Sequence, residues 1–337
     1  MKKLYLLLLL LASCKHDKVV KVSFYYWKTV YKNQPVQNNY LKHFNVKKLY
    51  VRLTDIDRNE EGIPVAISAI KFQDALPKTV EIVPVIFIVN DVLKTIDTIG
   101  LKSLASHILS FVDLQVVNAG KKQYQEIQID CDWTASTRNN YFFLLDQISK
   151  ATERKHVSLS ATLRLHQLKN QRSSGVPPVK RVMLMCYNMG NLRLYGTQNS
   201  ILDIGELKKY SGHNLSDYPL PVDLGFPLFS WAVVFRNKQY IGISKKMNFA
   251  FLNNKNQFKF IGGNLYLAAT DLPDYGLQIG DEIRWESTTG SNLNQAAAYL
   301  SPLIKTDTVT LIYFHLDENL ANTYPYVALE KNAYLLR

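Results

Sequence analysis

The segment Glu126-Ile-Gln-Ile-Asp-Cys-Asp-Trp-Thr134 alternates strictly between polar and apolar residues. Glu126, Gln128, Asp130 and Asp132 fall on one face of a strand; Ile127, Ile129, Cys131 and Trp133 fall on the other. A solvent-facing strand would show the same pattern. Three carboxylates and an amide at two-residue spacing are nevertheless costly to bury without a use. The expectation is that they line the mouth of a barrel and hold a polar ligand.

Other stretches supply matching chemistry. Ser158, Ser160, Thr162, Arg164 and His166 share one face of a second alternating run. Met185-Cys-Tyr187-Asn188 ends another, Trp231 a third and His315-Leu-Asp317-Glu318 a fourth, while Tyr25, Tyr26 and Trp27 add aromatic surface. Carboxylates and amides bond sugar hydroxyls in pairs, and pyranose faces stack on aromatic rings. The residues therefore suit a glycan, although each Tyr or Trp also fits a core position with a satisfied polar tip. In Gly280-Asp-Glu-Ile-Arg-Trp-Glu286, the side chains of Glu282, Arg284 and Glu286 share a face opposite Trp285. That is either a surface ion-pair ladder or a way to bring Glu286 to Asp132 as a second carboxylate. Two carboxylates are the minimum for glycoside hydrolysis, and their separation sets its stereochemistry.

The elements that must position these residues repeat. Strands are expected at residues 22–27, 45–54, 80–89, 126–134, 157–163, 181–188, 222–231 and 308–315, with helical spacing at about 100–117 and 139–152. Eight strands separated by segments able to hold a helix imply a parallel sheet, here a closed (β/α)8 TIM barrel, with an open doubly wound sheet as the alternative. Residues at about 236–283 break the repeat. They read as short strands with Asn-rich turns, including a hairpin over 249–260. A β-rich insertion after the seventh strand projects onto the C-terminal face, where barrel sites gather. It either caps a pocket or packs as a subdomain.

Asp130-Cys-Asp132-Trp133 resembles the fourth-strand motif of glycoside hydrolase family 18, the chitinase-like barrels. Met185-Cys-Tyr187-Asn188 resembles that family's sixth-strand Met-x-Tyr-Asp. The resemblance implies that Asp132 orients a substrate acetamido group, that Tyr187 and Asn188 contact it, and that Trp231 stands for an aromatic floor. The departures are specific. The family's catalytic Glu falls on Thr134, its first Asp on Ile127, and Asn188 replaces an Asp. Thr134 cannot serve as the acid. The barrel is thus either a non-catalytic relative or one in which Asp132, Glu286 or Glu318 has taken the role. Asp130, Asp132 and Glu286 are the candidate catalytic residues. Tyr187, Asn188, Trp231, Gln128, Arg164, His166 and Trp27 are the candidate substrate contacts. The arrangement is also similar to uncharacterised bacterial lipoproteins of this barrel type.

The first residues point to export. Lys2 and Lys3 precede the apolar run 4–11, then Leu11-Ala-Ser-Cys14. A short basic region, an apolar run and small residues describe a secretory signal, too short for a permanent span. The run into Cys14 resembles a lipobox, which implies cleavage of residues 1–13, lipid on Cys14 and a tether over 14–21 leading to the barrel domain, 22–337. Loss of two lysines lowers the net charge from +12 to +10. The expected location is a bacterial membrane, the outer rather than the inner, with no acidic run after Cys14 and hence the periplasmic face. A structural or assembly role in the cell envelope is the remaining alternative.

The 337 residues, 47% of them hydrophobic, can bury one large core. The positive charge is dispersed, with only Lys pairs such as Lys47-Lys48, which argues against a nucleic-acid groove. The two remaining cysteines, Cys131 and Cys186, read as buried thiols. Asp55, Asp57, Asp130, Asp132, His166 and His315 could converge on a metal, but no metal-binding spacing is present, and no metal or cofactor is expected. Neither a Gly-x-Gly-x-x-Gly turn, a phosphate loop nor a Gly-x-Ser-x-Gly elbow occurs.

Overall fold

The computed structural model of the chain describes residues 17–244 and 247–337. Cys14 and the 1–13 segment lie outside the described residues. Eight parallel strands close into a barrel: β1 (Val19–Tyr26), β2 (Lys48–Arg58), β3 (Glu81–Ile88), β4 (Glu126–Cys131), β5 (Ser158–Arg164), β6 (Arg181–Met185), β7 (Val222–Pro227) and β8 (Thr308–Phe314). Each pairs with its sequence neighbours, and β1 pairs with both β2 and β8. The ring therefore has no free edge among these strands, which is the (β/α)8 architecture expected from the repeat. A short antiparallel strand, Pro64–Ile67, extends the tail of β2.

The outward faces of the strands carry the apolar half of each alternation and bury it under helices. Helix α1 (Thr98–Asn118) turns Leu101, Leu104, Ile108 and Val112 inward, and α2 (Arg138–Glu153) does the same with Tyr141, Leu144, Leu145 and Ile148. Helix α3 (Gly290–Leu300) and α4 (Tyr326–Leu335) cover the strands nearest the chain ends. On β4, Ile127, Ile129 and Cys131 are all at most 1% exposed. Trp133 follows them outward: its ring stacks on Tyr141 at 4.9 Å and its Nε1 donates to Ser174 O at 2.8 Å. Burying several such side chains, at about 1.5–3 kcal/mol each, fixes the register of β4, since a one-residue slip would turn its carboxylates into this layer.

After β7 the chain leaves the barrel. A five-stranded antiparallel sheet runs in the order Gln239–Ser244, Ser230–Arg236, Glu282–Ser287, Leu265–Ala268, Phe258–Gly262. It has its own small core of Ala232, Val234, Met247, Leu252, Phe258, Ala268 and Ile283. Two expectations are corrected here. The strand anticipated over 222–231 is two strands, broken at Leu228 and Phe229, so Trp231 belongs to the insertion and not to β7. The hairpin anticipated over 249–260 is displaced: Phe249–Leu252 forms a helical turn, and Phe258–Gly262 pairs with Leu265–Ala268 across Gly263, whose φ of +60° suits a residue without Cβ.

Candidate functional site

The inward face of β4 descends through the barrel. At its lower end Glu126 accepts from Lys48 Nζ at 2.8 Å, Ser160 Oγ at 2.8 Å and Tyr50 OH at 3.4 Å. Beside it Asp223 accepts from Arg181 Nη1 at 2.9 Å and Thr310 N at 2.7 Å. These groups plug the base; Glu126 is therefore remote from the mouth where it was expected. One step higher, Gln128 accepts from Tyr25 OH and lies 3.4 Å from Ser160 Oγ. It too is buried within the barrel.

Asp130 and Asp132 occupy the upper levels, and their surroundings differ. Asp130 is 4% exposed and accepts from Thr162 Oγ1 at 2.7 Å. Burial raises its pKa to about 7, and the Asp132 charge adds to that rise, while Thr162 and Arg164 oppose it. Asp132 has a side chain 40% exposed and receives a two-pronged contact from Arg164, Nε to Oδ1 at 2.5 Å and Nη2 to Oδ2 at 2.7 Å. Two carboxylates two residues apart are thus placed in different surroundings. Asp130 sits in a dry site and takes up its proton near neutral pH, and Asp132 is paired with Arg164 at the rim.

The local folding that fixes Arg164 joins two strand ends. β5 stops at Arg164, whose N donates to Gln167 Oε1 at 2.8 Å, while Gln167 Nε2 donates to Trp133 O at 2.9 Å. The helical turn Leu165–Lys169 begins there. His166 consequently leaves the strand face it was expected to share with Arg164 and sits exposed on that turn.

Aromatic rings cross the rest of the mouth. Phe314, at the end of β8, lies 5.9 Å from Tyr25, 5.4 Å from Trp27, 5.4 Å from Tyr187 and 5.7 Å from Phe229, and Phe229 lies 5.2 Å from Trp231. Tyr187 follows β6 and is buried; burial and the nearby Asp130 push its hydroxyl pKa far up, so it stays a neutral donor. Gly225 on β7 makes room for it, since a Cβ there would meet Met183 Sδ at 2.5 Å and Tyr187 Cε1 at 3.2 Å. Asn188 takes a left-handed backbone with φ +55° and exposes its side chain. Phe229 and Phe314 were not anticipated. For Phe314 the signal was available: it continues the inward parity of Thr310 and Ile312.

Glu286 is placed elsewhere. It is fully buried, accepting from Arg284 Nε at 2.6 Å, Ser200 N at 2.7 Å, Ser200 Oγ at 2.6 Å and Trp231 Nε1 at 3.0 Å. Arg284, also fully buried, donates to the carbonyls of Leu192, Leu194 and Gly196 and lies over the Phe235 ring. This ion pair clasps the 190–200 loop to the insertion sheet. No hydrogen bond or ion pair links Glu286 to Asp132 among the described residues. Thr134 is exposed in the loop before α2, with its Oγ1 2.9 Å from Ser136 Oγ. Glu318 is exposed and 3.9 Å from Lys28 Nζ. The candidate metal ligands are separate as well: Asp55 is bound by Arg52 at 2.6 Å, and His315 lies 3.8 Å from Asp317. Among the described residues no group of three or more His, Cys, Asp or Glu is placed to hold a metal ion.

No protein-family model matches the chain, and no curated protein matches it either. Solved structures do. A chitinase from Chromobacterium violaceum aligns at 13% identity with a TM-score of 0.53, covering 94% of this chain and 99% of its own. The spore cortex-lytic enzyme SleL of Bacillus megaterium aligns at 13% identity and 0.55, covering 94% and 74%. The Group IV chitinase of Ostrinia furnacalis in complex with allosamidin aligns at 10% identity and 0.55, covering 95% and 99%. The chain shares the chitinase-like barrel over nearly its whole length. At these identities the likeness is one of fold.

Proposed function

We propose that the barrel mouth binds a glycan and that the protein is a carbohydrate-binding member of the envelope that does not turn its ligand over by the route of the chitinases. The observation that carries this is the state of the carboxylates. The position of the expected acid is Thr134, both oxygens of Asp132 are engaged by the Arg164 fork, and Glu286 spends its lone pairs on Arg284, Ser200 and Trp231. What remains is an Arg–Asp pair, a buried carboxyl with a raised pKa and a row of rings, the components of sugar recognition rather than of bond cleavage. The shared fold with chitinases supports an N-acetylated sugar as the ligand class. A lipid on Cys14, supported by the basic-apolar-small sequence before it, would attach the domain to a membrane without a spanning helix.

A glycan array on the purified protein tests binding. Arg164→Ala is expected to weaken any hit at least tenfold, because Asp132 loses the partner that orients it. An array without hits removes the proposal. Hydrolysis is the second reading, and one observation favours it: Asp130 has the pKa of about 7 that a general acid needs. It would show as release of reducing sugar from the array hits, falling above pH 7 and abolished in Asp130→Asn with binding retained. For the anchor, mass spectrometry of the mature N-terminus should find acyl chains on Cys14, and Cys14→Ser should make the protein extractable from the membrane by high salt.

A further inference from the structure

We propose that the N-terminal end of the barrel, opposite the mouth, is a docking face for anionic phospholipid headgroups, which holds the mouth turned away from the membrane. The proposal rests on the lipid anchor at Cys14 put forward above. Its first support is chain length. β1 begins at Val19, and the Lys18 side chain is already tied to the barrel, donating to Ser301 O at 2.9 Å. Four residue steps separate Cys14 from Lys18, so the tether spans at most about 14 Å. With its acyl chains in the bilayer, Cys14 lies at headgroup level. The end of the barrel that receives the tether is then held within about two Debye lengths of the lipid phosphates at physiological salt.

The second support is charge. Because all eight strands are parallel, the loops that enter them share this one end. Those loops, with the first turn of β1, expose Lys21, Lys47, Lys78, Lys122, Arg154 and Lys180, none of which has a carboxylate partner among the described residues. The acidic groups here are fewer. Asp113 and Asp217 are matched by Lys155 and Lys305, and Glu330 lies 2.7 Å from His43 Nε2. Asp17, Glu81, Glu153 and Asp307 remain exposed. A cavity of about 560 Å³ opens on this face beside β1, where Lys21, Lys47, Lys48, Arg181 and Arg337 line it together with Glu330. Lys48 and Arg181 are held by the buried carboxylates beneath them, Glu126 and Asp223. Lys21 and Lys47 are left to meet an anion from outside. Basic residues within a Debye length of an anionic leaflet each add attraction to it, and one acyl-bearing residue plus a basic patch is a firmer attachment than either alone.

The test uses the mature chain, acylated and unacylated, with vesicles of phosphatidylcholine alone or mixed with phosphatidylglycerol. Mass spectrometry first reports whether Cys14 is acylated; if it is not, the anchor reading falls, and the unacylated chain still judges the docking face. Co-sedimentation of the unacylated chain should be at least tenfold stronger on the mixed vesicles and should be lost at high salt. The triple variant Lys47→Glu, Lys122→Glu, Lys180→Glu should lose that preference. The control Lys94→Glu, Arg172→Glu, Lys259→Glu, with equal charge change on the mouth side and the insertion, should keep most of it. On the acylated chain, a fluorophore placed by Lys122→Cys should be quenched by spin-labelled headgroups, and one placed by Glu61→Cys should not. Equal loss in both triple variants, no preference for anionic vesicles, or equal quenching at the two probes would overturn the proposal.

Discussion

Asp130 is held between two demands, since it must be buried to complete the upper barrel and yet carries a group that prefers water. The sign of the consequence follows from its raised pKa. The unfolded carboxyl titrates near 3.8 and the folded one near 7, so between these values the folded chain binds the extra proton. Stability is then fully present below about pH 4 and is lost as pH rises through 7. Moving the carboxyl from 3.8 to about 7 corresponds to roughly 4 kcal/mol. Asp130→Asn should remove most of this slope and raise stability at pH 8 by a few kcal/mol, read from urea midpoints at pH 5 and pH 8. A variant whose midpoints shift with pH as the wild type does would locate the titration elsewhere. Strand parity made Asp130 and Asp132 legible as a pair facing inward. It could not tell that Glu126 lies at the opposite end of the same face, because period two fixes which way a side chain points and not its depth along the barrel. His166 was misplaced for a related reason: the parity of β5 is real only to Arg164, where the backbone turns into a helix to satisfy Gln167.

At the scale of the element, the insertion sheet is fastened by a buried ion pair rather than by apolar area alone. Arg284 reaches three carbonyls of the 190–200 loop, and Glu286 holds that loop's Ser200 as well as Trp231. Removing one partner leaves the other charged and dry. Glu286→Gln should therefore cost about 3–5 kcal/mol, whereas breaking an exposed pair such as Lys150–Asp146 should cost less than about 1 kcal/mol. Chemical denaturation measures the first, and hydrogen exchange should show faster opening in residues 190–200 and 230–287 before the barrel strands. A loss under 1 kcal/mol for Glu286→Gln would mean that the loop is held by other contacts. The sequence pattern of Glu282, Arg284 and Glu286 was equally compatible with an exposed ladder, because alternation does not say which side of a strand is covered. The break between β7 and the insertion was hidden for a different reason. From Val222 to Phe229 the chain is nearly all apolar, and the turn at Leu228 and Phe229 uses rings that also belong to the mouth.

At the scale of the whole molecule, the eight strand positions were legible because each outward face must be apolar to receive a helix, and that requirement repeats around the ring. Closure itself has a testable consequence. With β1 paired to β8, no barrel strand can peel from an edge, and the layer behind β4 and the end of β6 are reached only by displacing the helices and loops packed over the ring. Cys131 and Cys186 sit at those two places, buried and unpaired. Burial pushes both thiols well above their ordinary pKa, so neither attacks a disulfide reagent while folded. In a chain with Cys14→Ser, thiol labelling in native buffer should therefore proceed only through unfolding. The two cysteines, resolved by peptide mass spectrometry, should react at rates within about threefold of each other and at the global opening rate obtained by hydrogen exchange. If Cys186 reacted tenfold or more ahead of Cys131, the β6–β7 side would be opening by itself, and the barrel would be a ring with one weak segment beside the insertion rather than one cooperative body.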